Sequence, residues 1–150
     1  MEAASRGYLA LALHRLGRSA DAFTEIHAAV ALARSTRQVL PSMLAILAEM
    51  ELDVGRPSDA LGHAEEAVTA LRETRSDGAH DIQVRVAYAR SLAGVGRGGD
   101  AHVVFREAHA SLRARIELIQ TPHLRACFEH VAENKLVLDW ARTTGNTAHP

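Results

Sequence analysis

Cysteine is nearly missing from this chain. Cys127 is the single copy in 150 residues, so no intrachain disulfide can form and a reducing, cytoplasmic setting is the expectation. Aromatic residues are scarce, at 4%. Neither sign of charge is in excess: 17 Lys and Arg face 18 Asp and Glu, a net of −1. Without a basic surplus to neutralise phosphates, nucleic-acid binding is not expected. No apolar run approaches the roughly 18 residues of a membrane span, and no charged-then-apolar signal segment opens the chain. The strict alternation of a half-buried strand is absent too. What is present is apolar content, 47% of residues, too much for disorder. Alanine supplies nearly a fifth of the chain. The length suits one domain, or three to four helical repeats of an all-α protein.

A repeat does recur. Leu16-Gly17-Arg18-Ser19-Ala20-Asp21-Ala22 returns as Val54-Gly55-Arg56-Pro57-Ser58-Asp59-Ala60, and again as Val95-Gly96-Arg97-Gly98-Gly99-Asp100-Ala101. The shared pattern is an aliphatic residue followed by G-R-x-x-D-A, with the glycines 38 and 41 residues apart, a period typical of helical repeats. Gly17, Gly55 and Gly96 are expected to end a helix in the left-handed conformation. Asp21, Asp59 and Asp100 then fall in the first turn of the next helix, where a carboxylate can accept unpaired backbone N–H groups. Pro57 suits a first helical position.

Periodicity agrees on both sides of these turns. Met43, Ile46, Leu47, Met50 and Val54 step by three and four, as one face of an amphipathic helix does. After the turns, Ala22, Ile26, Ala29 and Ala33 correspond to Ala60, Ala64, Ala67 and Leu71, then to Ala101, Phe105, Ala108 and Leu112. The reading is three helical hairpins over residues 1–36, 37–76 and 79–120, with a loop at Asp77-Gly78. Thr121-Pro122 opens a further helix, striped by Leu124, Phe128 and Val131. Leu136, Leu138 and Trp140 belong to a last helix that Gly145 stops. Residues 121–145 are expected to cap the stack, and 146–150 to form a frayed tail.

These features resemble tetratricopeptide repeats. Aligned on the turns, that family's small positions fall on Ala10, Ala48 and Ala89, on Ala22, Ala60 and Ala101, and on Ala29, Ala67 and Ala108. The period exceeds the family's usual length of about 34, and Arg34, Arg72 and Arg113 replace its customary repeat-ending proline. Longer second helices are the expected result. The resemblance implies a right-handed superhelical solenoid of three hairpins plus C-terminal capping helices. The terminal segment is similar to the motif L-R-x-x-F-L-x-x-V-x-x-N that closes such regions in LuxR- and MalT-like activators and cyclase-like ATPases of bacteria. Leu124, Arg125, Phe128, Val131 and Asn134 match it, and Glu129 departs from it. The implied role is the sensory or interaction part of a regulator, without the effector half.

By the same resemblance, first helices line a concave groove that holds a protein or peptide. Its positions fall on Leu11, His14 and Arg15, on Ser42, Ala45, Glu49 and Asp53, and on Gln83, Val86 and Arg90. That groove mixes aliphatic patches, a central acidic pair and cationic flanks. The Asn and Lys pattern of chaperone-tail clamps is absent from it. Solvated surface charge is the competing interpretation of these residues.

Metal binding and catalysis have thinner support. His123, Cys127 and His130 share a helix face and suit zinc by donor type. No fourth ligand is evident, and the competing reading is a buried cysteine beside two exposed histidines. No cofactor is expected. Glu49 and Asp53 are four apart on one helix, yet no nucleophile elbow or general-acid setting accompanies them, and an enzyme is not expected. The glycines at 94, 96, 98 and 99 join two helices, with no strand before them. The first helix, with Tyr8, Leu9, Leu11, Leu13 and Leu16, is apolar on more than one face. It calls for a preceding repeat of a longer protein or for a second copy of the chain, a homodimeric scaffold. A receptor for a small effector or signalling peptide is the other alternative.

Overall fold

A computed structural model describes residues 1–74 and 80–146, with side chains through residue 144. The expected loop at Asp77-Gly78 and the tail from residue 147 onward lie outside the described residues. Among the described residues there are eight helices and no strand: α1 (Glu2–Arg15), α2 (Ser19–Thr36), α3 (Leu40–Asp53), α4 (Pro57–Thr74), α5 (Asp81–Gly94), α6 (Gly98–Leu118), α7 (Pro122–Glu129) and α8 (Ala132–Asn146). The protein is all-α. The second helix of each pair is the longer, with 18, 18 and 21 residues against 14 in each first helix.

The three G-R turns share one hydrogen-bond pattern. Gly17, Gly55 and Gly96 have φ of 77°, 75° and 83°. Their N–H groups reach back to His14, Leu52 and Ala93, while the next N–H, on Arg18, Arg56 and Arg97, reaches Leu13, Glu51 and Leu92. This paired closure satisfies carbonyls that a helix end leaves open, and a left-handed residue is what permits it.

The aspartates that follow behave differently from expectation. They lie in the first turn, yet α2 and α6 have no side-chain cap. Asp21 accepts from Arg18 at 2.7 Å and Asp100 from Arg97 at 2.7 Å. A guanidinium three residues upstream competes successfully for the carboxylate, because charge-assisted pairing outweighs a neutral N–H donor. In the second copy Arg56 instead lies over the Phe23 ring, 4.7 Å from its centroid.

Each pair packs on the next in a constant way. Helix α3 touches both α1 and α2, α5 touches both α3 and α4, and α8 touches both α5 and α6. Helix α8 therefore stands where the first helix of a fourth pair would stand. All nine aligned alanines are buried, the most open being Ala101 at 4%. A methyl side chain at these positions allows close helix approach, which larger residues would prevent. The pairs are also tied by charge, as Arg34 of α2 chelates Glu66 of α4.

Helix α3 departs from the amphipathic expectation: it is buried almost all round, since α1, α2, α4 and α5 surround it. Even Glu51 is buried, paired with His63 Nδ1 at 2.8 Å. Val54, expected on its apolar stripe, caps the helix and is exposed.

The terminal segment also differs from expectation. Helix α7 has no buried residue, and Leu124 and Val131 of its stripe are exposed. Phe128 alone of that stripe packs inward, beside a cluster containing Leu112, Ile116 and Val137. The motif residues act as a joint: Arg125 Nη2 donates to the Ile119 carbonyl at 2.8 Å, and Asn134 Nδ2 to the Phe128 carbonyl at 2.8 Å. Gly145 does not end α8, which runs to Asn146. At the other end, Tyr8 and Leu9 of α1 and Leu16 at its C-cap are exposed. No helix among the described residues is long and apolar enough to cross a membrane.

Two glycines seven positions apart respond oppositely to a methyl group. Gly55→Ala forces an L-residue to φ 75° and lowers stability by about 1–2 kcal/mol. Gly62, inside α4 with open space at its Cβ position, gains about 0.5–1 kcal/mol as Gly62→Ala. Urea denaturation midpoints of the two variants are expected on opposite sides of the parent.

Candidate binding groove

Because α1, α3 and α5 lie side by side, residues at equivalent positions of successive repeats come within reach of one another. Ser42 and Gln83 are one such pair, joined Oγ to Oε1 at 2.7 Å with the serine donating. Glu49 and Arg90 are another, two helical turns further along, with Arg90 Nη1 donating to Glu49 Oε2. Helical spacing then projects Leu11, His14 and Arg15 from α1, Glu49 and Asp53 from α3, and Val86 and Arg90 from α5 toward the same space. A cavity of about 230 Å³ lies there.

Its wall contains eight of the ten residues expected in the groove: Leu11, His14, Arg15, Glu49, Asp53, Gln83, Val86 and Arg90. The other two do not reach it. Ser42 is 1% exposed and Ala45 is fully buried. They share the correct helix face, but they lie deeper along α3, where neighbouring helices cover them. Four further lining residues, Ile46, Ala132, Glu133 and Leu136, were not expected. Three of these come from α8, which carries no repeat signal, and its docking against α5 and α6 is a tertiary outcome.

The electrostatics of the cavity centre on Glu49. Asp53 is engaged by His14, Nε2 to Oδ2 at 3.0 Å, and more distantly by Arg90 at 4.0 Å. An ionised carboxylate only accepts, so His14 Nε2 is the donor in that contact. Arg90 thus divides its charge between two carboxylates, and the expected cationic flank is partly neutralised in place. Burial pushes the Glu49 carboxyl up to about 7, and the negative charges of Asp53 and Glu133 add to that push, while Arg90 opposes it. Among the described residues two buried side-chain polar atoms have no hydrogen-bond partner, Glu49 Oε1 and His14 Nδ1. Such atoms are costly to leave unmatched.

The His–Cys constellation does not converge. Cys127 Sγ lies 3.8 Å from His123 Nε2, but His130 turns its Nδ1 to the Ala126 carbonyl at 2.7 Å. Cys127 is exposed, contrary to the buried alternative. Among the described residues no group of three or more His, Cys, Asp or Glu could hold a metal ion.

A larger cleft of about 790 Å³ runs between α6 and the α7–α8 pair. Its Lys135 and Arg142 are already paired with Asp139, and its Arg113 is exposed. It resembles solvated surface more than a built site.

No protein-family model matches the chain, and no curated protein or solved structure matches it.

Two measurements follow from this geometry. Folding raises the Glu49 carboxyl from 4.5 to about 7, so the folded state holds more protons than the unfolded state between those values. The Glu49 contribution to stability therefore falls as pH rises through that window, with a slope no steeper than about 1.4 kcal/mol per pH unit. Glu49→Gln is expected to flatten the profile, read from melting temperatures between pH 4.5 and pH 8. Separately, EDTA is expected to leave the melting temperature unchanged. A drop on chelation would show that the α7 donors rearrange around a metal.

Proposed function

We propose that this chain is a non-enzymatic, tetratricopeptide-like interaction module: a right-handed superhelical stack whose groove docks a peptide segment of a partner protein. The observation that carries this reading is the convergence of side chains from α1, α3, α5 and α8 on one cavity with apolar walls and mixed charge. The left-handed turn glycines, the nine buried alanines and the repeated packing of each first helix on the preceding pair support the repeat assignment. The size of the cavity favours a peptide over a small effector. Sites that engulf a drug-sized ligand measure roughly 300–1,000 Å³, and this one holds about 230 Å³, room for a side chain projecting from a longer segment. The likeness of the Leu124–Asn134 motif to the closing motif of bacterial regulators supports a regulatory setting for such docking, in the cytoplasm.

Selection of a random peptide library displayed on phage against the full chain tests the groove. The selected peptides, labelled with a fluorophore, are expected to lose affinity at least about tenfold for Leu11→Arg, as truncation of a central contact does. Val103→Arg, at an exposed site on α6, is expected to leave binding unchanged. Peptides that bind Leu11→Arg as tightly as the parent would overturn the groove reading.

A further inference from the structure

The cavity contains more carboxylate than its own cations satisfy. Asp53 is held by His14 and Arg90, and Glu49 Oε2 is held by Arg90. What remains is Glu49 Oε1, buried and without a partner, and Glu133 of α8, which lines the same cavity with no hydrogen bond or ion pair among the described residues. Glu133 is near enough to act electrostatically on Glu49. Ile46, Val86 and Leu136 form apolar wall beside these two carboxylates. The remaining cation of the lining, Arg15, is exposed, so it cannot screen them from within.

We infer that the cavity is a receptor for one basic side chain, an arginine or lysine of the docked peptide, whose charged head lies between Glu49 and Glu133 and whose methylene stem packs on Ile46, Val86 and Leu136. The inference rests on the peptide-docking reading above and adds the chemistry of the docked residue. Charge complementarity selects this occupant. An acidic side chain would meet Glu49, Asp53 and Glu133 together, a repulsion in a partly desolvated space. An apolar one would leave the Glu49 oxygen unmatched, and a neutral polar one would supply a donor without a charge to set against the carboxylates. A basic side chain matches both ends of the site, because its stem is apolar and its head is a donor with no acceptor. Rotation about the last torsion of Glu49 is soft, so Oε1 can turn toward an arriving donor while Arg90 keeps its hold on the carboxylate.

Arrival of the cation also acts on the Glu49 proton. The groups facing that carboxyl are His14 and Arg15 from α1, Asp53 from α3, Gln83 and Arg90 from α5, and Glu133 from α8. Burial keeps Glu49 partly protonated near neutral pH, and a new positive charge favours loss of that proton. Binding of the basic side chain is therefore coupled to proton release, and it tightens as pH rises from 6 to 8.

The test uses the full chain, labelled with ¹³C and ¹⁵N, titrated with N-acetyl-arginine amide. N-acetyl-citrulline amide, a neutral analogue of similar shape, serves as the comparison. The Glu49 side-chain carboxyl resonance and the backbone amides are followed by NMR. The expected result is a saturable response to the arginine probe at Glu49, Arg90, Glu133 and Leu136, at least about tenfold weaker for citrulline, as loss of a charged hydrogen bond dictates. Glu49→Gln and Glu133→Gln are each expected to weaken the arginine probe toward the citrulline value. Glu133 is half-exposed, so its variant keeps the test sound should Glu49→Gln disturb folding. Equal responses to the two probes, no saturable response to arginine, or unaltered affinity in both variants would overturn the inference. It would also be overturned, with groove docking intact, by selected peptides that lose binding on Leu11→Arg yet keep full affinity when every Lys and Arg in them is replaced by Gln.

Discussion

The constraint on which this structure depends is the distance of closest approach between helices. Nine alanines set it. Helix pairs with larger side chains at the contact stand further apart, within an interaxial range of about 8–10 Å. Here the methyl groups hold α1 against α2, α3 against α4 and α5 against α6. The first helices are thereby drawn side by side, and polar residues at matching positions can touch. Ser42 finds Gln83, and Glu49 finds Arg90. The groove chemistry is thus a product of alanine packing several ångströms beneath it.

A second consequence of that closeness is competition. Arg90 faces Glu49 and Asp53 at once, and Glu133 approaches from α8. Three acids and one inward arginine share the cavity, with Glu49 less exposed to solvent than Asp53. The strain falls on Glu49 because it is the most deeply placed of the acids, and a proton relieves it near neutrality. The same pairings that join neighbouring helices leave one acceptor, Glu49 Oε1, unmatched in the cavity.

Much of this architecture was legible in the residues. The turn glycines have the left-handed φ that G-R-x-x-D-A implies, since a helix stop at that spacing admits few other residues. The alanine positions followed from repeat alignment, and most of the cavity lining followed from the groove positions that the resemblance to tetratricopeptide repeats implies. What was not legible depends on tertiary coverage. Ser42 and Ala45 point in the right direction, but how far along α3 the neighbouring helices extend decides their burial. Glu133 and Leu136 enter the cavity through the docking of α8, for which no repeated signal exists. The turn aspartates were assigned to backbone N–H groups, and a stronger local donor, the arginine of the same motif, claimed two of them. Helix α7 shows the limit of periodicity in the other direction: its apolar stripe is real, yet most of it meets no neighbour.

Helix α3 has neighbours on four sides, whereas α1 and α8 stand at the two ends of the packing order. Contacts in such an array reach only adjacent elements, so each helix is held chiefly by its immediate neighbours. The acidic wall of the cavity, Glu49 and Asp53, belongs to the most enclosed helix, while the walls contributed by His14 and Leu136 belong to helices with fewer neighbours. Packing therefore fixes the acidic floor of the cavity from four directions, and its side walls from fewer.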